Sequence, residues 1–163
     1  PLSIAVLDCE EADIDFHARY SCTSKEYIYK IWNTEVRNPF LDGYALHYRY
    51  KLDEDMLNSA AQAYVGTHDF TSFCTLDSRE KGDMTRTVKA FSVTREGNLV
   101  TMKVEADGFL YNMVRIMVGT LLRIQQGKIP VDGIAGIIEK KDRKFAGPTA
   151  QPCGLYLNRV NYD

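Results

Sequence analysis

Arg115 occupies the setting in this sequence that most needs explaining. In FLYNMVRIMVGTLL, residues 109–122, it is the only charged side chain in an apolar run. An unpaired guanidinium in an apolar interior costs several kcal/mol, on the order of the penalty that makes buried charges pair. Arg115 therefore either reaches solvent along the edge of an apolar face or meets a carboxylate and orients it in a site. The chain offers no clustered carboxylates, so on the second reading the acid is expected from polypeptide outside these 163 residues.

Two other groups carry chemical potential. In DFHARY, residues 15–20, aromatic rings alternate with cationic side chains. That pattern suits a nucleic-acid surface and also occurs on ordinary half-buried loops. Tyr27 and Tyr29 stand two apart on a predicted strand, so they share a face. Sheet packing explains such a pair. A base-stacking platform is the sharper alternative, each stacked base contributing roughly 1–3 kcal/mol. His17, His47 and His68 have no catalytic companions at telling spacing, and no Walker A, GxGxxG or zinc pattern occurs. The mixed-charge loop DSREKGD (77–83) and the KKDRK run (140–144) read as solvated segments, the latter also as cations at a helix end.

Bulk properties set the limits. The length of 163 residues fits one domain or half of a two-domain protein, and an apolar share of 45% with 26% charged residues supports a real core. The net charge of −2 means that any nucleic-acid binding must come from local patches. No apolar run long enough to span a membrane and no signal pattern is present, so a soluble cytoplasmic protein is expected. Cys9, Cys22, Cys74 and Cys153 are scattered, without CxxC, and are expected to be reduced thiols. The sequence begins at Pro1 and runs directly into the alternating PLSIAVLD, as if cut from a longer polypeptide.

The elements that must position these residues follow from periodicity. SKEYIYKIWN (24–33) alternates as a strand, with Tyr27, Tyr29 and Ile31 on one face. ALHYRYKL (45–52) is expected to return beside it after the Asn38-Pro39 and Asp42-Gly43 breaks. Asp53 caps a helix over about 54–65, whose stripe is Leu57, Ala60, Ala61, Tyr64 and Val65. Residues 68–84 read mostly as loop; 85–94 and 98–106 form a hairpin about Glu96-Gly97, with Val100, Met102 and Val104 facing the core. Helices are expected over 109–127 and near 131–140, and a strand over 154–160. The predicted class is α+β, an antiparallel or mixed sheet with helices packed mainly on one face.

Several segments closely resemble the C-terminal half of the tRNA pseudouridine synthase A family. DFHARYSCTSKEYIYKIWN, GTHDFTSFC, ADGFLYNMVRIMVGTLL and KDRKFAGPTAQPCGLYL occur in the family's order, and PLSIAV resembles the end of its interdomain region.

The resemblance implies the pseudouridine synthase fold in its C-terminal subdomain. The implied reaction is isomerisation of uridine to pseudouridine at positions 38, 39 and 40 of the tRNA anticodon stem-loop, by a cofactor-free homodimer. It also implies that the nucleophilic Asp lies in a GRTDxGVHA motif of an N-terminal half. No such motif occurs here, so the chain alone is expected to be inactive. By the same resemblance Phe16, His17, Ala18, Arg19 and Tyr20 form an RNA-contacting loop, with Arg19 the phosphate or base contact. Tyr27 stacks on the target base, Leu155 walls its pocket, and Arg115 pairs with the nucleophilic Asp. Ser78 and Arg79 align with a tRNA-contacting loop. Glu26 stands where the family often has a basic residue, which weakens a phosphate role there. The competing readings are a non-catalytic RNA-binding module and a structural dimerisation domain.

Overall fold

A computed structural model describes residues 1–75 and 82–162. The alternating SKEYIYKIW becomes β1, Cys22–Trp32, the inner strand around which the sheet is arranged. Leu46–His47 (β2) pairs with it, followed by α1 (Glu54–Ala61), β3 (Gly66–Asp69), β4 (Thr85–Glu96) and β5 (Leu99–Ala106). Then come α2 (Met113–Gln125), α3 (Gly133–Lys140) and β6 (Leu155–Tyr162). Sheet order is β2-β1-β5-β4-β3, with β6 also on β1. One edge of β1 is thus shared: β6 lies antiparallel along residues 22–29, and β2 lies parallel beside Ile31 and Trp32.

The β4–β5 hairpin turns at Gly97, whose φ of 57° favours glycine. Along β5, buried Val100, Met102 and Val104 alternate with the exposed Lys103, as the period of two requires. In β4 the register shifts between Val88 and Ala90. This bulge lets both Val88 and Phe91 face inward, while Lys89 and Ala90 are exposed. The helices gather over the face that carries Tyr29, Ile31, Met102 and Phe91, which confirms the α+β architecture. Asp53 caps α1 through the Met56 N–H (2.9 Å). Its stripe is buried at Leu57, Ala60, Ala61 and Tyr64, whereas Val65 lies exposed beyond the closing 3-10 turn.

Two expectations are corrected. Residues 45–52 do not return as a strand: only Leu46 and His47 pair, and in parallel. Beyond them, the Asn33 side chain donates to the carbonyls of Tyr48 (2.8 Å) and Tyr50 (2.6 Å) and accepts from the Leu52 N–H (3.0 Å). A side-chain amide there does the work of a neighbouring strand. At the start of the mostly-loop segment 68–84, the short strand Gly66–Asp69 pairs with β4. Helix α2 starts at Met113 rather than 109, behind a turn in which Asn112 adopts φ 62°.

Helix α2 is buried on nearly every side, and a strap of residues 146–154 crosses it. The strap can lie there because of two glycines. A Cβ on Gly119 would collide with the carbonyl oxygen of Pro148, and one on Gly147 would meet the Gly119 backbone. The Thr120 hydroxyl donates to the Ile116 carbonyl (2.8 Å) and accepts from the Gly147 N–H (2.8 Å), pinning the strap to the helix. Gly154 then packs against the Tyr29 ring, and Tyr29 Oη donates to the Gln151 carbonyl (2.6 Å).

The KKDRK run is a structural clasp more than a free basic tail. Lys140 Nζ sits 3.9 Å from the Phe145 ring centre, Lys141 pairs with Asp69 (2.9 Å), and Asp142 accepts from the Lys144 N–H.

Candidate active site

The first turn of α2, the end of the strap and the middle of β1 meet around a cavity of about 390 Å³. Size alone does not single it out: a cavity of about 400 Å³ lies beside Trp32 and His47, across the strap. Its lining does. Arg19, Tyr27, Arg115 and Leu155, each expected from the sequence, all border the first cavity, together with Phe109, Asn112 and Pro152. Two guanidinium groups and no carboxylate line it. The N-terminal end of α2, where the helix dipole is positive, adds to the same sign. The cavity is built to receive negative charge.

Tyr27 is half-buried on the inward face of β1, paired across the sheet with Val104 and Leu157. The Phe109 ring meets it edge-on with centroids 5.0 Å apart. Burial raises the Tyr27 phenol above its ordinary value, so it remains a neutral donor at physiological pH. Its hydroxyl has no hydrogen-bond partner among the described residues. Leu155 stands opposite Tyr29 in the β1–β6 pairing and forms the apolar wall next to Pro152.

Arg115 is half-buried. Its Nε donates to the Ala150 carbonyl (2.7 Å) and its Nη1 to Asn112 Oδ1 (2.9 Å). The strap returns the contact, since the Ala150 N–H donates to the Arg115 carbonyl (3.0 Å). Among the described residues the ion pairs are Arg95–Glu54, Lys103–Glu26 and Lys141–Asp69; none involves Arg115. The group is oriented by neutral oxygens and has no counter-charge among the described residues. Glu26 is engaged by Lys103 (3.5 Å), away from this cavity's lining.

The aromatic loop before β1 is exposed and folded on itself. His17 Nδ1 accepts from the backbone N–H groups of Arg19 (3.1 Å) and Tyr20 (3.3 Å), and the Ser21 N–H donates to the His17 carbonyl (2.8 Å). Tyr162 Oη donates to the Ala18 carbonyl (2.7 Å), and its ring packs 5.1 Å from Phe16. Arg19 reaches the cavity, while Phe16, His17, Ala18 and Tyr20 stand outside its lining. Ser78 and Arg79 lie outside the described residues. Among the described residues no cluster of three His, Cys, Asp or Glu side chains could hold a metal ion. None of the helices described is long and apolar enough to cross a membrane.

Sequence reasoning missed Phe109, Asn112 and Pro152. Phe109 and Asn112 were absorbed into an expected helix, although a residue of the Asx type ahead of an apolar run is a signal for a helix start.

A family model described as tRNA pseudouridine synthase matches residues 60–163. The chain is 45% identical over 163 residues to a tRNA pseudouridine synthase A of Geobacillus sp. (strain WCH70), covering all of this chain and 65% of that protein. Over the same span it is 44% identical to the tRNA pseudouridine synthase A of Bacillus pumilus (strain SAFR-032), covering 66% of it. It is likewise 44% identical to that of Geobacillus kaustophilus (strain HTA426), covering 63%. The chain thus spans a little under two thirds of the length of these relatives. With α2, the strap and β6 all inside the matched region, the chain belongs to the tRNA pseudouridine synthase family.

Proposed function

We propose that this chain is the C-terminal domain of an enzyme that isomerises uridine to pseudouridine in tRNA, at positions 38, 39 and 40 of the anticodon stem-loop. In this reading the whole enzyme is a cytoplasmic homodimer. The single observation that carries the reading is the setting of Arg115. An arginine fixed by two neutral oxygens, lacking a counter-charge among the described residues, beside a half-buried tyrosine, suits a site completed by an acid from elsewhere.

The chemistry asks for what this cavity offers. The target base leaves its stack at a cost of a few kcal/mol and is held between ring and apolar surfaces. Tyr27, Phe109 and Leu155 provide those surfaces. The N1–C1′ bond breaks, the uracil turns, and a C5–C1′ bond forms; C5 loses its proton and N1 ends protonated, so nothing is gained or lost overall. A nucleophilic Asp from an N-terminal domain supplies the acid. Arg115 keeps that carboxylate ionised and aimed, since an opposite charge at close range favours the charged form. Arg19 and the aromatic loop contact the RNA.

Carbodiimide mapping of pseudouridine in an unmodified tRNA transcript tests this. The chain alone should give no product, and addition of the N-terminal domain should restore turnover only while Arg115 and Tyr27 are intact. Turnover by the chain alone would refute the shared site. Salt-sensitive tRNA binding without product from the two halves together would favour a non-catalytic RNA-binding module.

A further inference from the structure

Asn112 stands one residue ahead of α2 with φ 62° and ψ 7°, a left-handed backbone that Asn and Asp tolerate better than other non-glycine residues. An Asn in this position ordinarily turns its side-chain oxygen onto the free N–H groups of the first helical turn. This one makes no such cap. Its amide is used at both ends elsewhere: Oδ1 accepts from Arg115 Nη1 (2.9 Å), and Nδ2 donates to Thr75 Oγ1 (3.2 Å). The backbone beside it is tied to the same threonine, since the Thr75 N–H donates to the Tyr111 carbonyl (3.1 Å). The amide is therefore anchored independently of Arg115.

We propose that Asn112 is a positioning residue for the reaction: it sets the plane of the Arg115 guanidinium and presents its unbonded edge to the incoming acid. The inference rests on the function proposed above. A guanidinium is rigid and planar. With Nε held by Ala150 and Nη1 by Asn112, the direction of Nη2 is determined, and Nη2 has no hydrogen-bond partner among the described residues. A neutral amide is the suitable holder. A carboxylate at position 112 would fix the same plane but would satisfy the charge that the site must keep open. The left-handed backbone, uncapped helix end and doubly tied threonine are local departures from the simplest helix start, and all of them serve one hydrogen bond to Arg115.

The test uses the full-length protein with Asn112→Asp and Asn112→Gly, both compatible with the left-handed backbone. Three quantities are measured: single-turnover tritium release from tRNA carrying 5-tritiated uridine, the dissociation constant for that tRNA, and rotation of the Arg115 guanidinium about Nε–Cζ by 15N NMR. Asn112→Asp should slow release at least about 100-fold, and Asn112→Gly about 10-fold, with the dissociation constant within about threefold and the unfolding midpoint not lowered in the glycine variant. The Arg115 Nη signals, separate in the parent protein, should merge in Asn112→Gly. Parental rates in both variants, or unchanged Arg115 signals, would overturn the inference. If the parent protein releases no tritium, the proposed function fails. The NMR then decides the positioning role alone: separate signals that merge in the glycine variant uphold it, and merged signals in both proteins end it.

Discussion

Two half-buried guanidinium groups in this molecule are held in nearly the same way and left in opposite states. Arg95 donates from Nη2 to Asn33 Oδ1 (3.0 Å) and to the Leu52 carbonyl (2.9 Å), and its Nε meets Glu54 at 2.9 Å. Arg115 likewise has an asparagine oxygen and a backbone carbonyl, but no carboxylate among the described residues. Arg95 closes a joint between β4, α1 and the loop after β2. Arg115 has the same scaffold with the charge left open, beside a cavity lined by a second arginine. The orientation of a cation and its neutralisation are separable, and only the joint that builds the fold does both.

The largest effect expected from breaking this contrast is on chemistry. Arg115→Met in the full-length protein should lower the isomerisation rate by about 10²–10³, the scale of removing one preorganised charge donor from a site. Its unfolding free energy should fall by only about 1 kcal/mol, the scale of its hydrogen bonds to Ala150 and Asn112, because among the described residues no ion pair is lost. A comparable loss of stability instead, seen by urea titration, would place Arg115 with Arg95 as a structural residue.

Gly119→Ala should come next. Its Cβ would collide with Pro148 and push away the strap that carries Ala150, costing about 1–3 kcal/mol of stability. It should also lower turnover at least tenfold, although residue 119 is one helical turn from Arg115 and does not line the cavity. Full activity would mean that the Ala150 carbonyl does not orient Arg115.

Glu54→Gln should cost about 1–2 kcal/mol of stability and leave the rate untouched, since it opens the closed joint and removes a negative charge from the first turn of α1, both away from the cavity. Loss of activity at unchanged stability would contradict the contrast.

The smallest effect is expected at Asp69. Hydrogen bonds from Thr71, with Lys141 beside it, hold this carboxyl below the usual carboxylate range. A lowered pKa in the folded state stabilises above the ordinary carboxylate value and loses that contribution as pH falls through the folded value. Relative to Asp69→Asn, the parent should be about 0.5–1 kcal/mol more stable at pH 7, with the advantage fading below about pH 4. An advantage undiminished at pH 2 would exclude the ionised carboxylate as its source.

Much of the frame was legible because its signals are local. The alternation of β1 and β5, the Asp53 cap and the Glu96-Gly97 turn each act within a few residues, and the structure keeps all of them. Arg115 was legible for a related reason, as one charge in an apolar run. Other features depend on distant partners. Residues 45–52 alternate like a strand, yet the Asn33 amide takes the bonds a strand would have made. The left-handed turn at Asn112 depends on Thr75, 37 positions earlier. The AGPTA segment could be matched as a pattern, but its physical reason is the seat that Gly119 and Thr120 prepare on α2. Helix starts and strand faces are written in neighbouring residues; the direction of a side chain in a cavity is settled by partners far along the chain.

The bond from Tyr162 to Ala18 has a practical corollary. Strand β6 acts as a latch on a loop 144 positions earlier, with the Tyr162 ring against Phe16 and its hydroxyl on the Ala18 carbonyl. Tyr162→Phe, which removes that one hydroxyl, is therefore a mild way to loosen the surface proposed to meet RNA without altering any residue of the loop itself.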